Sequence, residues 1–163
     1  MPTQLLTVDQ ALTSLAATPT RIATLTVGLT PAQLQTAPQP DEWSANDVLA
    51  HLRACADIRG GTILTMLAQD APTLRTVSPR TWIKKTDYLE QAFQPSLRAF
   101  AQQRADLLTA LQSLPPDGWS RTATITGAGR PLEHSVLFYA DWLAIHERPH
   151  IKQIERIVSS MHG

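Results

Sequence analysis

The spacing of apolar residues in two segments most restricts the folds open to this chain of 163 residues. Phe93, Leu97, Phe100, Arg104, Leu107, Leu111 and Leu114 recur by alternating fours and threes. Near the C-terminal end, Tyr139, Leu143, His146, His150, Gln153 and Ile157 repeat the same step. That rhythm puts one stripe of side chains along one side of an α-helix, a seam that another helix must cover. Two such seams predict a helical bundle. Arg104 is the polar member of the first, and it has two readings. Its guanidinium snorkels to the surface, or it is buried against a carboxylate.

The rest of the chain supplies two more helices. Thr7-Val8-Asp9-Gln10 has the form of a capping box, and Leu12, Leu15, Ile22, Leu25 and Leu29 follow on one helical face. Pro19 either kinks this helix or begins a second one with Thr18 as its cap. Thr30-Pro31-Ala32-Gln33 predicts a short helical turn, and the segment 37–42, with Pro38 and Pro40, an extended connector. The clearest start is Trp43-Ser44-Ala45-Asn46-Asp47-Val48. Ser44 caps, Asp47 sets a negative charge in the first turn, and Trp43 and Val48 occupy the positions of a hydrophobic staple. Helix two then runs to about Ala68, with Gly60-Gly61 loosening its middle.

Residues 69–86 lose the helical pattern and carry Pro72, Pro79, Arg75, Arg80, Lys84 and Lys85. They read as a solvated crossover that carries the chain along the bundle between helices two and three. Pro95 marks where the regular part of helix three begins, and Pro115-Pro116 end it. Thr122-Ala123-Thr124-Ile125-Thr126 is β-prone and precedes Gly127-Ala128-Gly129, which predicts a short strand or hairpin. The segment from Leu132 to Val158 reads as the last long helix. The expected fold is all-α: a four-helix bundle with a crossover between helices 2 and 3, a strand or hairpin before helix 4, and one domain over residues 1–163.

Charge narrows the function classes. Lys plus Arg and Asp plus Glu number 14 each, so nothing draws the chain toward nucleic acid or an anionic membrane. The lone cysteine, Cys55, precludes an intrachain disulfide. The opening residues lack a signal-peptide pattern and no apolar run reaches the length of a membrane span, so a soluble, cytoplasmic protein is expected.

His146 and His150 stand at i and i+4, one turn apart on one face, so their imidazoles can converge on one ion. Both belong to the buried seam, where two imidazoles without partners cost free energy; an ion accepting their lone pairs explains the placement. His51 lies on the apolar side of helix two, and by position alone it reads as a satisfied core histidine. His134 is about 18 Å from His146 along an ideal helix and on another face, too far to share their ion. His162 falls in a terminus expected to fray.

Taken together, these segments resemble a known family. Pro40-Asp41-Glu42-Trp43-Ser44 with Val48-Leu49-Ala50-His51-Leu52 is similar to the second-helix signature of the DinB/YfiT-like metalloenzymes. Residues 100–108, around Arg104, resemble that family's third helix, and His146-x-x-x-His150 with Gln153-Ile154 its fourth. No single motif is specific, but their joint order spans nearly the whole chain. The resemblance implies a divalent metal held by His51, His146 and His150. It also implies relatives that include transferases and isomerases using low-molecular-weight thiols such as bacillithiol or mycothiol. Two departures stand out. Pro149 falls inside the His-x-x-x-His turn, where the helix should kink or bulge, or the imidazoles diverge. Ala54 and Ala56 occupy places where relatives often carry carboxylates.

Three neutral imidazoles leave a divalent ion an open position for water or substrate, as catalytic sites do. Zinc is the first expectation, with nickel and iron as alternatives, because imidazole alone does not discriminate among them. Glu147 points off the ligand face of a regular helix and serves as general base only if Pro149 rotates it inward. Cys55, one turn from His51, is either a fourth ligand or, more commonly for such a residue, a small buried hydrophobe. Two functions are therefore expected. One is a metal-dependent transferase or hydrolase that activates a thiol or water against a small-molecule substrate. The other is a non-catalytic helical module, metal-free or a homodimer.

Overall fold

A computed structural model of the chain describes residues 4–162. The first helix, α1 (Val8–Thr26), opens on a full capping box: Gln10 N–H donates to Thr7 Oγ1, and Thr7 N–H donates to Gln10 Oε1. The short α2 (Pro31–Leu34) repeats the device with Thr30 and Gln33. The third helix, α3 (Ala45–Ala68), repeats it with Ser44 and Asp47, and passes through Gly60-Gly61 unbroken. The crossover follows, with β1 (Thr73–Arg75) and α4 (Pro79–Ile83), and then α5 (Phe93–Gln112). A 3-10 turn (Pro116–Ser120) leads to β2 (Thr122–Thr126), β3 (Leu132–Ser135) and α6 (Val136–His162). Among the described residues no helix is long and apolar enough to cross a membrane.

The four long helices form the expected bundle. The main packed pairs are α3 with α6, α1 with α6, α1 with α5 and α3 with α5. Helices α1 and α3 therefore face each other across one diagonal, and α5 and α6 across the other. Two apolar clusters fill the interior. One gathers Leu15, Ile63, Met66, Leu111 and Leu143; the other gathers Ile22, Leu49, Leu52, Phe100 and Ile154. Between them in chain position, α1, α5 and α6 contribute Thr18, Arg104 and Glu147, all buried. The bundle has a polar waist.

That waist decides the two readings of Arg104. Its guanidinium is 2% exposed and grips Glu147 with both arms, at 2.9 and 2.5 Å, from α5 to α6. Thr18 Oγ1 donates to the same carboxylate at 2.8 Å. Pro19 does not start a second helix; α1 runs through it. Proline has no N–H for the Leu15 carbonyl one turn back. Arg104 Nη1 donates to that carbonyl at 2.9 Å instead, replacing the missing intrahelical bond.

Leu132 does not begin the last helix. Residues 132–135 pair antiparallel with β2, from Thr122 opposite Ser135 to Ile125 opposite Leu132. Gly127 (φ 98°) and Gly129 (φ 80°) make the reversal with left-handed backbone that other residues rarely adopt. On the other side of β2, β1 pairs in parallel, giving a three-stranded sheet in the order β1-β2-β3. Neither β1 nor α4 is foreseen in the sequence. The cations Arg75, Arg80, Lys84 and Lys85 are exposed, as a solvated crossover requires.

Asp57 pins the crossover to the bundle. Its carboxylate accepts from Trp82 Nε1 (2.9 Å), Tyr88 Oη (2.5 Å) and Gln103 Nε2 (2.5 Å). Burial first, and then the bond to Asp57, push the Tyr88 hydroxyl up to about 12. Hydrogen bonds to a charged group contribute about 1.5–3 kcal/mol. Asp57→Ala, which orphans three donors, is expected to lower stability in urea unfolding by about 2–4 kcal/mol and to shift Trp82 emission to longer wavelength.

Candidate metal centre

Helices α3 and α6 run side by side in opposite directions. Early in α3, His51 faces His146 and His150, whereas the later Arg59 lies over the rings of Trp142 and Tyr139. The three imidazoles meet, with ring centroids 5.3 Å apart for His51 and His146, 4.7 Å for His51 and His150, and 4.8 Å for His146 and His150. The Nε2 atoms of His51 and His146 are 3.2 Å apart. Cys55, one turn after His51, sets its Sγ 3.6 Å from His51 Nε2 and 3.4 Å from His146 Nε2. Among the described residues, His51, Cys55 and His146 are the group whose donor atoms all lie within 4.8 Å of one another; the His150 nitrogens fall outside it.

Each imidazole is held by a neighbour. His150 Nδ1 is 2.9 Å from Gln153 Oε1, which can only accept, so Nδ1 carries the proton and Nε2 keeps its lone pair. An outer partner that fixes the tautomer in this way is the usual companion of a metal-ligating histidine. Trp142 stacks on His146 at 4.6 Å, and Trp43 leans over His51 at 5.2 Å and lies parallel to His150 at 6.4 Å. Burial, and then the neighbouring His150, lower the pKa of His51. Burial, then His150, His51 and Arg59, lower that of His146 to about 4. Both rings are neutral at pH 7, the state in which nitrogen offers a lone pair to an ion. Burial pushes the Cys55 thiol up to about 12 in the metal-free chain.

Two clefts reach the cluster on either side of Trp43, which is 42% exposed. One, of about 540 Å³, is bounded by Trp43, His51, Ser78, Arg80, Ile83 and Leu89. The other, of about 690 Å³, leads to His150 past Trp43, Asp41, Gln153 and Arg156. His134 lies on β3, stacked on Phe138 at 3.6 Å, and takes no part. His162 ends α6, exposed.

The family profile of the DinB superfamily matches residues 14–154. The chain belongs to the DinB superfamily. Among solved structures it is similar to YfiT from Bacillus subtilis, with a TM-score of 0.81 and 16% identity over 99% of this chain and 93% of that one. That protein is described as a probable metal-dependent hydrolase with an unusual four-helix bundle topology. At that identity the likeness shows the fold. No curated protein sequence matches the chain.

One feature of this DinB-superfamily chain departs from expectation. Pro149 neither breaks α6 nor separates the imidazoles: the helix runs from Val136 to His162. Pro149 has no N–H for the Ile145 carbonyl one turn back, and Ile145 is a residue 43% exposed. Glu147, as a regular helix leads one to expect, is not rotated toward the histidines; it is 1% exposed and bound by Arg104 and Thr18. Ala54 and Ala56 are buried. The sequence signals for Gln153 and Trp142 are the spacings i+3 from His150 and i−4 from His146, which become informative once the histidines are known to face inward.

The lowered His146 pKa carries a stability consequence for the metal-free chain. Because the folded state holds it below the unfolded value, its contribution is whole above pH 6.5 and is lost as the pH falls toward about 4. Thermal melts of metal-free protein should drop over that window, and less so for His146→Gln.

Proposed function

We propose that the chain is a divalent-metal-dependent enzyme in which His51, His146 and His150 hold the ion and a water or thiol attacks a small-molecule substrate. Hydrolase-type chemistry is the first reading, supported by the description of YfiT. The observation that carries it is the meeting of three imidazoles from two helices, with His51 lining one open cleft and His150 the other. Zinc is the first candidate, then nickel or iron. When bound, such an ion supplies Lewis acidity and makes a nucleophile available near neutral pH.

The chain's own residues set the conditions. Burial keeps His51 and His146 unprotonated, and Gln153 holds His150 in the tautomer that exposes Nε2. Trp142 stacks on the face of His146, and Trp43 leans against His51. Exposed Arg80, on the rim beside His51, is placed to receive an anionic part of the substrate. Glu147 is committed to Arg104, and among the described residues no carboxylate hydrogen-bonds to the three imidazoles; Asp41 and Glu42 line the cleft beside His150, and Asp47 the one beside His51. A transferase using a low-molecular-weight thiol fits the same clefts. A non-catalytic module, metal-free or a homodimer, is the second reading; Ala54 and Ala56, which put no carboxylate at those two places on α3, favour it.

Release of p-nitrophenol from activated esters by zinc-loaded protein tests the reading. Turnover is expected to vanish with chelator and in His146→Ala, and a requirement for added thiol would assign the transferase arm. Turnover indifferent to chelator and to His146→Ala would overturn the metal mechanism.

A further inference from the structure

We propose that Cys55 binds the ion as a thiolate, so that His51, His146 and Cys55 form the inner donor set of this chain. The inference rests on the metal-binding reading above and changes its ligands. In tetrahedral coordination, bond lengths near 2.0–2.1 Å to imidazole and 2.3 Å to thiolate set the donors about 3.3 Å apart for two nitrogens and about 3.6 Å for nitrogen and sulfur. The three edges here are 3.2, 3.4 and 3.6 Å. The triangle already has the dimensions of one face of such a site.

Hydrogen bonding does not account for this triangle. Each Nε2 offers either one proton or one lone pair, and the thiol has one proton. At most two of the three edges can then be well-made hydrogen bonds, and the third brings two polar atoms together without a proton between them. One cation on the axis of the triangle engages all three. Nor does packing require it. A cysteine serving only as a small hydrophobe needs apolar contacts, whereas Cys55 is 1% exposed with its sulfur against two ring nitrogens. On binding, the sulfur–metal bond forms as the S–H proton leaves to water, and no electron is transferred.

A thiolate among the ligands selects zinc and its neighbours over magnesium, calcium or manganese. It also ranks the histidines. His150, outside the triangle and tied to Gln153, becomes the outermost protein donor, the one a substrate displaces most readily. His150→Ala should then weaken metal binding less than Cys55→Ser does.

Cobalt(II) is the probe. Untagged, reduced protein loaded with cobalt should show visible d–d bands together with a near-ultraviolet sulfur-to-cobalt charge-transfer band. Cys55→Ser, its fold checked by circular dichroism, should lose the charge-transfer band. Its zinc affinity should fall by more than the roughly 10–100-fold that loss of an outer-shell partner costs. Wild-type protein that binds cobalt with d–d bands alone, indistinguishable from Cys55→Ser, would overturn the thiolate and leave the metal reading standing. Folded wild-type protein that takes up neither cobalt nor zinc would overturn both.

Discussion

Arg104→Met is expected to lower the free energy of unfolding by about 3–5 kcal/mol, the usual cost of leaving one member of a buried ion pair without its partner. The substitution keeps an unbranched apolar stem and removes three bonds at once. Two run to the Glu147 carboxylate, and the third serves the Leu15 carbonyl that Pro19 cannot reach. A second substitution can restore part of each loss. Adding Glu147→Leu removes the stranded carboxylate and should recover most of the stability, since apolar replacement of a whole buried pair is often neutral or better. Adding Pro19→Ala returns an N–H to the Leu15 carbonyl and should recover about 1 kcal/mol in the Arg104→Met background. Urea unfolding followed by circular dichroism reads all four proteins. A loss below about 1 kcal/mol for the single variant would mean that the pair is solvated and the waist is not buried.

His146→Ala should abolish the stabilisation that added zinc gives the wild type. A ligand that binds only the folded chain stabilises it by about 4 kcal/mol at a thousandfold excess over Kd. For a domain of this size that corresponds to a rise in Tm of about 8–16 °C. His146 is the informative position because its Nε2 faces both His51 and Cys55, and its loss leaves α6 without a donor in that triangle. His134→Ala, which alters a histidine on β3 away from the cluster, should leave the zinc response intact. Equal shifts in wild type and His146→Ala would place the zinc elsewhere on the surface.

The bundle was legible in the sequence because its information is local. The fours and threes of α5 and α6, and the capping boxes at Thr7, Thr30 and Ser44, each need only a few neighbouring residues. What stayed hidden depends on distant partners. Thr73-Leu74-Arg75 becomes a strand because β2, some fifty positions later, lies beside it in parallel. Leu132 to Ser135 continue a helical rhythm on paper, but the β-branched run of β2 captures them as its antiparallel partner. Pro19 and Pro149 looked like breaks for the same reason. For Pro19 the remedy lies outside the helix, a guanidinium from α5 that serves the Leu15 carbonyl.

The site divides along the same line. The spacing of His146 and His150 declares a shared face, and the resemblance to a known family pointed to His51; the structure brings all three rings together. Cys55 is the residue the sequence undervalued. One turn from His51, its neighbours make it look like a small core residue, and its closeness to His146 appears only when α3 and α6 are packed.

Metal content of the folded protein, purified without a histidine tag and measured by elemental analysis, tests the central claim most directly. One divalent ion per chain, zinc before nickel or iron, is the predicted result, with the content lost from His51→Ala and His146→Ala. A folded chain that carries no metal, and whose Tm does not rise when zinc or nickel is added, would contradict it.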